Sequence, residues 1–215
     1  MEQAANFIAQ VSIWAVPALL AIILHEVMHG FAARALGDDT AERAGRLTLN
    51  PISHVDPFGT IILPLVLLFF HLPVFGYAKP VPVNFSRLRR PRFGMMAVAA
   101  AGPLTNLALA ALSAFAMRLA MPMLDGRGGQ AVWLPILYML QASVVVNLVL
   151  AVFNLFPLLP LDGGRVLLAV LPRRAARAFA RMEPYGLLIL FVLLYTNAVG
   201  RMVNPLINAI ARILL

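Results

Sequence analysis

Five stretches of this chain contain no Asp, Glu, Lys or Arg: residues 3–24, 57–78, 93–117, 128–161 and 184–200. A helix needs about 20 apolar residues to cross the hydrocarbon core of a bilayer. The first, third and fourth stretches reach that length outright, and the fifth does so if it extends towards Arg201. Composition agrees, with 61% hydrophobic and only 12% charged residues, where a soluble domain carries about 25% charge. A soluble globular fold and a disordered chain are both excluded. Cysteine is absent, which removes disulfides, cysteine-bound metal and thiol nucleophiles. The fold class read from this pattern is an all-α polytopic membrane protein with about 4–6 transmembrane helices, forming one domain over residues 1–215.

The placement of charge sets the expected topology. Of 17 basic residues, three lie in 34–46, five in 79–92 and five in 165–181. The positive-inside rule puts these clusters on the cytoplasmic side and the loop 118–130 with both termini outside. The net charge of +8 therefore reads as topology and attraction to anionic lipid headgroups. No interleaving of basic and aromatic residues suggests a nucleic-acid surface, so none is expected as a partner. The chain is expected in the inner membrane of a prokaryotic cell. The first apolar stretch starts almost at Met1 without a basic leader, so it reads as a retained spanning helix and not a cleaved signal.

Helices are expected at about 8–35, 93–119, 131–153 and 184–200. The tail 202–215 is expected to be broken at Asn204-Pro205, as a half-helix or an interfacial segment. The stretch 57–78 does not fit a simple span, because both flanks are basic and Pro64, Pro73 and Gly76 interrupt it. It reads as a re-entrant helix that returns as extended chain near 74–83, within a region 57–83. Such backbone is tolerated at depth only beside protein or a water-filled cavity, so a cavity is implied.

The chemistry begins at His25-Glu26-Val27-Met28-His29. On a helix, His25 and His29 share a face one turn apart and can hold one zinc ion, with Glu26 beside them as a base. The plain alternative is a polar cap on a helix end. Ionisable residues inside a membrane helix are costly, however, and functional by default. A catalytic zinc takes three protein ligands. Asp162 is the favoured third, because it ends a long apolar run where two prolines and two glycines unwind the helix near the depth of His25 and His29. It could alternatively cap a helix at 163–170. His54 and Asp56 compete as ligands, although Asn50-Pro51-Ile52-Ser53-His54-Val55-Asp56-Pro57 reads more readily as a surface turn, and His71 reads as an interfacial residue.

The chain resembles the site-2 protease family of intramembrane zinc metalloproteases. The match rests on His25-Glu26-Val27-Met28-His29, Ala101-Gly102-Pro103-Leu104-Thr105-Asn106 and Asn154…Pro157…Pro160-Leu161-Asp162-Gly163-Gly164, and spans roughly residues 20–170, leaving 184–215 as C-terminal helices. The resemblance implies that His25, His29 and Asp162 bind one zinc per chain and that Glu26 is the catalytic acid and base. It implies that Asn154 helps hold the scissile peptide or its oxyanion. Asn106 falls on a family asparagine, for which helix–helix hydrogen bonding beside Gly102 is the competing role. The chain looks like a minimal variant, without space for a PDZ or CBS domain. The implied substrate is a transmembrane helix, cleaved near the cytoplasmic face. Phe75, Gly76, Tyr77, Ala78 and Lys79 could pair with it as an added strand, or form a loop lid. A non-proteolytic metal-binding membrane protein or transporter is the alternative, weakened by the absence of repeats and by the convergence of charge on one site.

Overall fold

The computed structural model describes residues 2–73, 76–125 and 129–215. Among these residues nine α-helices follow in order: α1 (Glu2–Ala35), α2 (Thr40–Arg43), α3 (Leu63–Phe69), α4 (Pro91–Ala120), α5 (Gly129–Asn154), α6 (Asp162–Val170), α7 (Arg173–Ala180), α8 (Gly186–Tyr195) and α9 (Ala198–Leu214). No strand occurs among the described residues, and four of their helical stretches are long and apolar enough to cross a membrane. These are Gln10–Ala35, Pro91–Leu124, Gln130–Asn154 and Arg173–Tyr195. This is a polytopic all-α membrane protein.

Helices α1, α4 and α5 pack against one another and form the centre of the bundle. Small residues let them approach. Ala110 and Ala114 of α4 lie against Val144 and Leu148 of α5 in one buried cluster. Without a hydrophobic drive between helices in lipid, such close van der Waals contact carries the association. Helix α6 leans on α4, and α9 lies along α5.

The expected helix at 184–200 is not continuous. Asn197 adopts a left-handed conformation (φ 55°) and separates α8 from α9. In Arg173–Tyr195, Arg173, Arg174, Arg177 and Arg181 charge the first half, so α8 alone is apolar. Its ten residues span only about 15 Å. The expected break at Asn204-Pro205 is also absent, since α9 runs through Pro205. Val203 is buried and Ile207 and Ile210 pack on α5; that packing outweighs the hydrogen bond a mid-helix proline removes.

The stretch 57–78 follows the re-entrant reading. A π-turn at Pro57–Ile62 leads into α3, and extended chain without a regular ladder covers 76–84. This segment is tied to the end of α1. The helix stops at Gly37, whose φ of 110° suits glycine, and turns the buried Asp38 towards the segment. Asp38 accepts from the Asn84 amide at 2.6 Å and from the Thr40 amide and hydroxyl. The Leu36 carbonyl accepts from the Arg89 amide at 3.0 Å. Burial pushes the Asp38 carboxyl up, but the Thr40 hydroxyl, the Asn84 and Thr40 amides and the Arg87 guanidinium outweigh it and hold it below its ordinary value.

A group held below its unfolded value stabilises the fold above that value, and the contribution disappears as pH falls towards the folded one. Asp38→Ala should therefore cost about 2–3 kcal/mol at neutral pH, since it strands buried donors. Thermal melting in detergent should show the gap between wild type and variant closing below about pH 4.

Candidate metal centre and active-site cavity

The helical repeat brings His25 and His29 to the same face of α1, with rings edge to face at 4.7 Å between centroids. Both histidines are buried. Helix α4 supplies a partner to each outer nitrogen: His25 Nδ1 meets Asn106 Oδ1 at 2.5 Å, and His29 Nδ1 meets the Val98 carbonyl at 2.7 Å. Both partners are oxygens that accept, so each Nδ1 donates and each Nε2 is the nitrogen turned inward.

Asp162 arrives from the other side. After α5 ends at Asn154, the chain passes through Pro157 and a cis Leu159-Pro160 bond before α6 begins at Asp162. The double glycine makes this turn fit. A Cβ on Gly163 would lie 2.1 Å from the Leu155 carbonyl oxygen, and one on Gly164 2.5 Å from the Leu158 carbonyl carbon. Asp162 makes no capping hydrogen bond, because the residue flanking α6 is Leu161. Its Oδ2 lies 3.1 Å from His25 Nε2 and 3.3 Å from His29 Nε2, and the two Nε2 atoms are 3.1 Å apart.

These three atoms suit a metal ion. Asp162 Oδ2 is buried and makes no hydrogen bond, and its nearest polar neighbours are the two Nε2 atoms. A tetrahedral zinc ion with bonds of about 2.0–2.2 Å sets its ligand atoms about 3.3 Å apart. Among the described residues, this is the group of His, Asp and Glu side chains that could hold an ion. His54 and Asp56 lie elsewhere: His54 Nε2 meets the Thr48 carbonyl at 2.9 Å, and Asp56 caps the Gly59 amide at 2.7 Å. His71 is exposed in a turn.

Gly102 of α4 faces the same point. A Cβ there would stand 2.5 Å from His29 Nε2 and 2.6 Å from His25 Nε2. The residue therefore does more than let helices approach; it leaves room for the ligand nitrogens themselves.

A cavity of about 610 Å³ opens beside this centre, walled chiefly by apolar side chains, with Glu26, Asn154 and Arg165 as further polar members. Glu26 Oε2 accepts from the Val81 amide at 2.9 Å, which aims its carboxylate along the extended segment. Asn154 gives one amide hydrogen to the Leu150 carbonyl at 3.0 Å and has a second to spare. Asn106 is different. Its amide is fully buried behind His25, where it donates to Ala21 and Asn147, and it does not line the cavity. The structure places it between helices, against the imidazole of His25.

Gly76, Tyr77 and Ala78 border the cavity, while Phe75 lies outside the described residues. The Tyr77 and Lys79 amides donate to Gly59 and His54 carbonyls at 3.1 and 2.9 Å. With Val81 on Glu26, this edge of the extended segment is occupied. The opposite edge holds Ala78, Pro80 and Pro82, so it offers carbonyl acceptors and few donors. Two residues near the site carry little signal in the sequence. Arg165, a topology charge by its placement, lines the cavity, contacts Glu183 at 3.1 Å and lies 5.4 Å from the Phe85 ring centroid. Asn147, behind Asn106 and off the cavity, is marked only as an amide inside an apolar run.

A bundle of membrane helices holding a histidine–histidine–aspartate cluster beside a glutamate base is the construction of a membrane-embedded metallopeptidase. A family model described as Peptidase family M50 matches residues 117–196, which include Asn154 and Asp162. The Bacillus subtilis protein named "Putative zinc metalloprotease YwhC" is 36% identical over 200 residues, covering 89% of this chain and 84% of that protein. The protein named "Putative zinc metalloprotease Rip2" of Mycolicibacterium smegmatis is 30% identical over 188 residues, covering 85% of this chain and 66% of that protein. Its namesake in Mycobacterium tuberculosis strain H37Rv is 31% identical over 178 residues, covering 81% and 63%. No solved structure matches the chain. The chain belongs to peptidase family M50, and the resemblance to site-2 proteases holds.

Gly102→Ala should leave the bundle folded, because the added methyl meets side-chain rings and not backbone. It should weaken metal binding by about 10–100-fold or more, read as metal content after dialysis against a chelator.

Proposed function

We propose that this chain is a single intramembrane domain that uses zinc to hydrolyse a peptide bond in or near a transmembrane segment of another membrane protein. The observation that carries this reading is the meeting of His25, His29 and Asp162 with Glu26 in one cavity between apolar helices. The basic clusters at 34–46, 79–92 and 165–181 support a site facing the cytoplasm in the cell membrane.

Zinc held by His25, His29 and Asp162 would acidify water and polarise the scissile carbonyl. Glu26 takes the proton of the attacking water and returns it to the departing amine. Its carboxylate is held for this by the Val81 amide. Asn154 turns its free amide hydrogen to the oxygen on which negative charge develops, an interaction worth about 3–4 kcal/mol in comparable sites. The apolar walls keep bulk water from the centre and so strengthen both effects.

A substrate helix pairs its own backbone amides and must unwind before attack. The proline edge of 76–83 could then receive it, because the carbonyls there accept from substrate amides and demand little in return. The same segment holds Glu26, so substrate docking and base orientation share one element.

Glu26→Gln should retain zinc and lower cleavage of a reconstituted transmembrane substrate by at least about 10²–10⁴-fold. Persistent cleavage would remove the protease reading. Asp162→Ala should lose zinc by elemental analysis, and unchanged zinc would rule out that ligand. Asn154→Leu should keep zinc and reduce kcat by about 10²–10³-fold.

A further inference from the structure

Behind His25, on the side away from the cavity, a file of polar side chains lies between α1, α4 and α5. Asn106 Nδ2 donates to the Ala21 carbonyl at 3.2 Å and to Asn147 Oδ1 at 2.8 Å. Asn147 Nδ2 donates to the Ser143 carbonyl at 2.9 Å and to its hydroxyl at 3.2 Å. Both asparagines are fully buried, with relative exposures of 0% and 1%. An amide buried at membrane depth is costly unless every group is paired.

The direction of each bond is forced from the far end. A backbone carbonyl only accepts, so Asn147 turns its nitrogen to Ser143 and its oxygen to Asn106. Asn106 then spends its two hydrogens on Asn147 and Ala21, and only its oxygen remains for His25. That oxygen accepts, so His25 must carry its proton on Nδ1. Nε2 is thereby left as the nitrogen available to a metal, facing His29 and Asp162.

We propose that Asn147 is a positioning residue for metal binding. It touches neither the cavity nor a metal ligand, and acts through Asn106 by fixing the tautomer and tilt of His25. Two backbone carbonyls, of Ala21 and Ser143, anchor the relay, so its polarity cannot reverse without stranding a buried group. The inference rests on the reading of His25, His29 and Asp162 as zinc ligands. Hydrogen-bond partners behind a ligating histidine typically change metal affinity by about 10–100-fold.

The test is zinc affinity of the full chain in detergent, measured by chelator competition, with thermal melting of the metal-stripped protein as the fold control. Asn147→Leu should bind zinc about tenfold more weakly. Asn147→Asp, whose neutral acid can accept from Asn106 and donate to Ser143, should stay within about threefold of wild type. Because Asn147 acts only through Asn106, the double variant N106L/N147L should bind no more weakly than N106L alone. Wild-type affinity in Asn147→Leu, or losses that multiply in the double variant, would overturn the proposal. If Asn147→Leu does not fold, Asn147→Ser replaces it with the same two overturning outcomes. A His25→Ala chain that keeps its zinc, with Asn147 intact, would instead refute the ligand reading itself, so the two failures are distinguishable.

Discussion

Inside a bilayer no water is available to pair a polar group, so each one carried to depth must be satisfied by the protein. This constraint organises the bundle. Both Nδ1 atoms of the α1 histidines are matched by oxygens of α4. Asn106 and Asn147 satisfy each other and the backbone. The exception is the buried oxygen of Asp162, which faces the Nε2 atoms of His25 and His29. Three ligand-type atoms held together in an apolar interior suit a cation shared between them. The packing of α1, α4 and α6 thus creates a group that could hold a metal ion.

The extended segment at 76–84 is the second consequence. Irregular backbone at depth needs partners, and here the side chain of Glu26 and the carbonyls of His54 and Gly59 supply them. One edge is thereby consumed and the other is blunted by Pro80 and Pro82. An unprotected edge invites pairing with any extended chain. The prolines narrow that invitation to a partner that brings its own donors. Asp38 and Arg165 meet the C-terminal end of this segment at Asn84 and Phe85, from the end of α1 and from α6 respectively.

Much of this was legible from local pattern. The expected helices at 93–119 and 131–153 differ from α4 and α5 by a residue or two at each end, because hydrophobic length fixes a span directly. The pairing of His25 with His29 was legible because four residues make about one helical turn. The failures have a common cause. The helix expected at 184–200 breaks at Asn197, and α9 passes through Pro205, because packing against α5 decides where those residues are tolerated. For Asn106 the sequence left two roles open, because its partners lie 81 and 41 positions away.

The sequence by itself determined that the chain lives in a membrane, where its long spanning helices at the two central stretches lie, and that two imidazoles and a carboxylate share one turn of α1. Those features follow from apolar length and helical period, which are properties of neighbouring residues. Tertiary structure alone decided that Asp162 and not His54 or Asp56 lies against the two histidines, which nitrogen of His25 faces them, and which edge of the extended segment is spent. It also made Gly102, Asn147 and Asp38 matter. Each of these depends on distances of about 3 Å between segments far apart in the chain, and no local periodicity encodes such distances.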